Sequence, residues 1–136
     1  MTLNLYFLRH GETTYSQSGD FCGETNAELT PEGVKMAEAF GDMYQKLKWE
    51  AVYASPMKRT VATAKPFCDA TGIDMQLRDG LREGSYGEWE GKSKEFAQEN
   101  YTENYINWLT EPAWNAPKGG ETSVDIANRS MPVIAE

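Results

Sequence analysis

The spacing of apolar residues changes along the chain, and each change marks an element. Residues 3–8 form a nearly unbroken apolar run that reads as a buried strand. Residues 13–27 are polar and rich in Gly, Ser and Thr, the pattern of a loop. Thr30-Pro31 then opens a helix, with threonine as N-cap and proline at the first helical position. Val34, Ala37, Phe40, Met43, Tyr44 and Leu47 recur at helical spacing and predict one apolar face. Residues 51–54 read as a second strand. Ser55-Pro56 caps a second helix running to about Ala70, with Pro66 as a kink or weak turn and Gly72 as its stop. Residues 73–77 read as a third strand. Strand and helix alternate, which favours parallel pairing with right-handed crossovers.

The second half is less regular. Residues 79–92 are glycine-rich and irregular, and residues 93–105 read as one polar helix. Trp108, Leu109 and Trp114 lie in a stretch broken by Pro112 and Pro117. A last helix follows Gly119-Gly120-Glu121-Thr122 and uses Val124, Ala127, Met131 and Ile134, with Pro132 inside it. There is no internal repeat, heptad pattern or low-complexity tract.

At 136 residues the chain fits one domain, residues 1–136, long enough to bury a sizeable core. A net charge of −8 argues against nucleic acid or an anionic membrane as partner. It leaves room for a small phosphate ligand, because a few local arginines can make a positive pocket on an acidic body. Cys22 and Cys68 form no C-x-x-C pair and read as free thiols of a reducing cytoplasm. With one histidine and two scattered cysteines, no metal site is expected. No basic leader with a long apolar stretch opens the sequence, and no apolar run is long enough to cross a bilayer. A cytoplasmic location is therefore expected, and the oligomeric state is left open.

Candidate chemistry gathers where the first predicted strand ends, at Leu8-Arg9-His10-Gly11-Glu12-Thr13. His10 is the only histidine. Arginine offers a planar, always charged fork that matches phosphate oxygens. Neutral imidazole is a nucleophile able to carry a phosphoryl group. Gly11 is expected to let a tetrahedral anion approach the backbone. In open parallel sheets ligands gather beyond the carboxyl ends of the strands. Arg59 lies just past the second such end, in a first helical turn where guanidinium and helix N-terminus can serve one anion. Glu83 lies among other carboxylates (Asp79, Glu88, Glu90, Glu95), and spacing alone does not single it out.

The hexad at 8–13 resembles the signature of the histidine phosphatase superfamily, in its phosphoglycerate mutase-like branch. Ser55-Pro56, Arg59, Thr63 and Ala64 are similar to a second family segment. Leu81, Glu83, Gly87, Trp89, Glu90 and Gly91 are similar to a third, and Pro117 to Thr122 resemble a fourth, with Thr122 where serine is usual. Thr30-Pro31-Glu32-Gly33 looks like a common helix start of the family. The resemblance implies an α/β fold, a three-layer αβα sandwich with a mostly parallel central sheet. It implies His10 as the phosphorylated residue, Arg9 and Arg59 as phosphate ligands, and Glu83 as proton donor to the leaving group. Ser16 stands where many members carry a phosphate-touching asparagine. Neither metal nor cofactor is implied. The expected substrate is a small phosphorylated metabolite, and the loop at 83–91 looks more like phosphatase members than mutases. Tyr101, Tyr105, Trp108 and Trp114 are candidates for a substrate-selecting lid. Arg129 falls at a family position read as structural.

One departure is plain. Family members carry a second histidine late in the chain, on a strand inserted between the first two, and this sequence has none. The chain is therefore expected to be a fragment of a longer product, or to be completed by another segment. Alone it is expected to show poor activity and marginal stability. Mutase-type phosphoryl transfer and a noncatalytic phosphate-binding remnant are the alternatives.

Overall fold

The computed structural model describes residues 2–136. Along them run α1 (Thr14–Ser18), α2 (Pro31–Tyr44), β1 (Val52–Ala54), α3 (Lys58–Thr71), β2 (Met75–Leu77), α4 (Lys94–Asn100), α5 (Thr102–Thr110) and α6 (Ser123–Ala135). Single 3-10 turns sit at Asp79–Leu81 and Gly87–Trp89.

β1 and β2 pair in parallel, with Val52 opposite Met75 and Ala54 opposite Leu77. The expected α/β class with parallel pairing is present, in a sheet of two strands. The first expected strand, residues 3–8, does not form. Leu3, Leu5, Tyr6, Phe7 and Leu8 are all exposed, Phe7 to 82%. A strand exists only through hydrogen bonds to a neighbour, and here none lies beside this backbone. Tyr6 anchors the run, its ring meeting Trp49 edge-on at 4.8 Å.

α2 begins as expected: Thr30 Oγ1 accepts from the Gly33 N–H, and Pro31 needs no partner. Its packed side differs. Gly33, Ala37 and Gly41 are buried, while Val34, Met43 and Leu47 are exposed. Small residues let α3 approach closely; a Cβ at Gly41 would lie 3.2 Å from the Phe67 nitrogen. Phe40 and Tyr44 flank this contact, Phe40 stacking on Phe67.

Ser55-Pro56 does not cap α3. Met57 is the N-cap and makes no side-chain capping bond, and the Lys58 N–H is taken instead by Asn26 Oδ1 at 2.8 Å. Ser55 Oγ pairs with Thr60 Oγ1. The helix runs on through Pro66 to a left-handed Gly72. The predicted loop at 13–27 also contains a helix, α1, built by a capping box between Thr13 and Ser16.

A second core surrounds Trp89, which is fully buried with Phe21 and Ala97; Tyr86, Tyr101, Tyr105 and Trp108 pack against it. The single helix expected at 93–105 breaks at Tyr101 (φ −133, ψ 41) into α4 and α5. The break lets Ala97 and Trp108 both reach Trp89. α6 uses Thr122 as N-cap, but Ile126, Arg129 and Val133 make its contact, and Ala127, Met131 and Ile134 face water. Among the described residues no helix is long and apolar enough to cross a membrane.

Candidate active site

His10 is half-buried, and its Nδ1 lies 2.7 Å from the Gly11 carbonyl oxygen. A carbonyl can only accept, so Nδ1 carries the proton and Nε2 keeps its lone pair. The loop is tied to α3. The Gly11 N–H donates to Thr63 Oγ1 at 2.9 Å, and Thr63 donates to the Arg59 carbonyl at 2.6 Å. Gly11 is glycine for a reason other than anion access: a Cβ there would stand 2.5 Å from the Gly33 carbonyl oxygen at the start of α2. Thr30 completes the junction, its hydroxyl donating to Glu12 Oε1 at 2.7 Å.

A hollow of about 280 Å3 brings together Arg9, His10, Ser16 and Glu83. Arg9 is exposed at its mouth, and Glu83 is partly exposed. Ser16 is on the wall, but its hydroxyl is occupied: Oγ accepts from the Thr13 N–H at 2.8 Å and donates to the Thr13 carbonyl at 3.0 Å.

Arg59 does not line the hollow itself. It lies behind the wall, 1% exposed, donating to the carbonyls of Thr25 and Gly23, each at 2.8 Å. Its Nη2 is 3.8 Å from Glu83 Oε2, and its Nε has no hydrogen-bond partner among the described residues. Gly23 and Glu83 both border the hollow, so the second arginine is one residue's thickness away.

Sequence motifs missed several wall residues: Asp20, Phe21, Cys22, Tyr86 and Lys94. Tyr86 lies within the 81–91 motif but at a position the motif does not mark, the others come from segments with no distinctive spacing, and only the folded chain collects them. Of the four proposed lid aromatics, Trp108 borders the hollow, Tyr101 and Tyr105 pack on Trp89, and Trp114 is exposed. Burial pushes the Tyr86 hydroxyl up, with Glu83 adding and Arg9 opposing. Burial also raises the Cys22 thiol; Arg59 opposes, while Glu83 and Glu90 add. Among the described residues no three His, Cys, Asp or Glu side chains are placed to hold a metal ion. A larger, shallower groove of about 490 Å3 between α3 and β2, bordered by Val61, Cys68, Ile73 and Met75, contains none of the candidate catalytic groups.

Residues 5–136 match the histidine phosphatase superfamily (branch 1). The chain belongs to this family. A putative phosphoserine phosphatase 2 of Hydrogenobacter thermophilus is 34% identical over 108 residues, 79% of this chain and 53% of that protein. The glucosyl-3-phosphoglycerate phosphatase of Mycobacterium tuberculosis is 31% identical over 132 residues, 97% of this chain and 59% of that one. The chain thus spans little more than half the length of these curated relatives. Among solved structures, the native mycobacterial glucosyl-3-phosphoglycerate phosphatase superposes with a TM-score of 0.84 at 29% identity, covering 93% of this chain and 59% of its own. A putative α-ribazole-5′-P phosphatase from Escherichia coli gives 0.86 at 25% identity, covering 94% and 63%. The histidine phosphatase fold therefore extends over nearly all of this chain, the unpaired run at residues 3–8 notwithstanding.

Proposed function

We propose that the protein is a phosphomonoesterase that hydrolyses a small phosphorylated metabolite through a phosphohistidine at His10. One observation carries this: His10, whose Nε2 makes no hydrogen bond among the described residues, shares a hollow with Arg9 and Glu83. The His10 Nε2 lone pair attacks phosphorus as the ester P–O bond breaks. The Gly11 carbonyl holds the Nδ1–H and steadies the imidazolium that forms. Phosphoryl transfer spreads charge over the equatorial oxygens, and fixed cations beside them lower the barrier. Arg9 faces those oxygens, and buried Arg59 adds its field from behind Glu83. Glu83 gives its proton to the departing alkoxide. Its carboxylate then takes a proton from water as that water attacks phosphorus, the P–N bond breaks, and inorganic phosphate leaves. Ser16 reaches the phosphate only by giving up its bond to the Thr13 carbonyl. Two free thiols accord with a reducing cytoplasmic home.

The phosphatase relatives favour hydrolysis of a phosphorylated metabolite. One relative, from Rhizobium etli, is named as a 2,3-bisphosphoglycerate-dependent phosphoglycerate mutase, at 27% identity. A mutase would use the same groups but return the phosphoryl group to substrate. Trapping 32P from a labelled ester should label wild type and leave His10→Ala unlabelled. Steady phosphate release marks a phosphatase, and isomer exchange marks a mutase. No label on wild type would leave a phosphate binder without catalysis.

A further inference from the structure

The loop that carries Glu83 is held from behind by one side chain of α6. Arg129 Nη1 donates to the carbonyl oxygens of Gly80 and Arg82, both at 2.8 Å, and Nη2 donates to that of Glu83 at 3.0 Å. The same guanidinium grips Glu121, Nε to Oε1 at 2.8 Å and Nη2 to Oε2 at 2.9 Å. All five of its N–H groups are thereby used. Glu121 closes the ring, its Oε2 accepting from the Ser85 N–H and its own N–H donating to the Ser85 carbonyl, each at 2.9 Å.

The loop lies flush on this clamp because two of its positions lack side chains. A Cβ at Gly80 would run into the Arg129 carbonyl, and one at Gly84 would stand 2.5 Å from Ile126 Cδ1. The Glu83 carboxylate is not part of the clamp. It is 41% exposed, borders the hollow, and has Arg59 Nη2 3.8 Å away.

We infer that Arg129, locked by Glu121, is a positioning residue that fixes the main chain at 80–85 so that the Glu83 carboxyl stands at the hollow opposite His10. The inference rests on Glu83 being the proton donor proposed above. A general acid acts only from a held position, and the backbone clamp supplies the hold while leaving the carboxyl free to exchange its proton.

Leaving-group dependence tests it. 2,4-Dinitrophenolate departs unprotonated, whereas the alkoxide of glycerol phosphate needs a proton. Phosphoryl transfer to His10 from each ester is measured in wild type, Glu83→Gln, Arg129→Gln and Arg129→Lys. Glu83→Gln should slow the alkyl ester by roughly a hundredfold or more and the dinitrophenyl ester far less. Arg129→Gln should show the same selectivity at roughly tenfold, within the range one general acid supplies. Arg129→Lys should not restore it, because an ammonium lacks the planar fork. Equal slowing of both esters by Arg129→Gln, beside a selective Glu83→Gln, overturns the inference. A Glu83→Gln that is not selective, or a wild type that takes up no phosphate, overturns the proton-donor assignment instead.

A second measurement judges the clamp without turnover. The charged groups acting on Cys22 are Arg59, Glu83 and Glu90, and those acting on Cys68 are Asp69, Asp74 and Lys65. Glu83 raises the Cys22 thiol, so moving its carboxylate away lowers the pH at which iodoacetamide alkylates Cys22. Arg129→Gln should shift Cys22 downward, as Glu83→Gln does, and leave Cys68 in place. An unmoved Cys22 in Arg129→Gln, or Cys22 and Cys68 shifting together as in a general loosening, overturns the inference.

Discussion

Arg59 Nη2 and Glu83 Oε2 lie 3.8 Å apart, one group sealed inside the protein and the other partly in water. The pair joins two sequence segments, at 55–64 and 81–91, that no local structure connects. It also brings a guanidinium up to the one of these two groups that borders the hollow.

Arg59 serves as a structural residue, its guanidinium spent on the carbonyls of the 23–25 loop. Arg59→Ala would leave the buried Gly23 carbonyl and the half-buried Thr25 carbonyl without their donor. The expected loss is about 2–4 kcal/mol, two acceptors shielded from water each losing a charged donor. Urea unfolding checks it; a loss under about 0.5 kcal/mol, the size of an ordinary surface change, would show that the 23–25 loop is held by something else.

Gly11→Ala should destabilise the chain by about 1–3 kcal/mol, the usual cost of forcing atoms into a filled site. The new methyl meets the Gly33 carbonyl, which belongs to a capped helix start and has little room to retreat. Gly19→Ala is the control. Its cost comes from φ 82 rather than from crowding, about 1 kcal/mol. Equal melts for the two variants would contradict this assignment.

Trp89 is fully buried, yet its Nε1 has no hydrogen-bond partner among the described residues. Trp89→Phe therefore gives up packing but no bond. Trp89→Ala should cost about 3–5 kcal/mol, and Trp89→Phe well under half of that. Near-equal losses in urea melts would mean that the indole N–H has a partner in solution.

Leu5→Lys and Phe7→Lys should change the urea midpoint by no more than about 0.5 kcal/mol of stability, because both side chains already face water. The same changes should reduce light scattering at high concentration, since contiguous exposed apolar surface promotes association. A large destabilisation would place residues 3–8 in a core.

The Glu121 carboxyl is held below the usual carboxylate range, chiefly by its hydrogen bonds from Arg129. A depressed folded value contributes stability above the unfolded value of about 4.3 and loses it as pH falls through the lower folded one. Glu121→Gln should therefore be less stable than wild type near neutrality, with the gap closing as the medium is acidified. Urea midpoints across the acid limb check this, and a gap independent of pH would refute it.

Local chemistry was legible before any coordinates. Thr30-Pro31 and Gly72 mark helix ends through caps that depend on residues within a few positions, and the parallel direction of β1 and β2 follows from the strand–helix–strand order. His10, Arg9 and Glu83 lie in recognisable motifs, and the three border one hollow. The clamp of Arg129 on three carbonyls was not legible, because it joins residues more than forty positions apart through main-chain oxygens that every sequence has.

Residues 3–8 make the division clearest. The sequence by itself determined that they are apolar and suited to an extended, buried place. Only the tertiary structure decided that they stay uncovered, because a strand is completed by a neighbour's hydrogen bonds and not by its own side chains. The same holds for Arg59. Its charge and fork come from the sequence, whereas its place behind Glu83 is set by the carbonyls of Gly23 and Thr25, which compensate a charge that water no longer reaches.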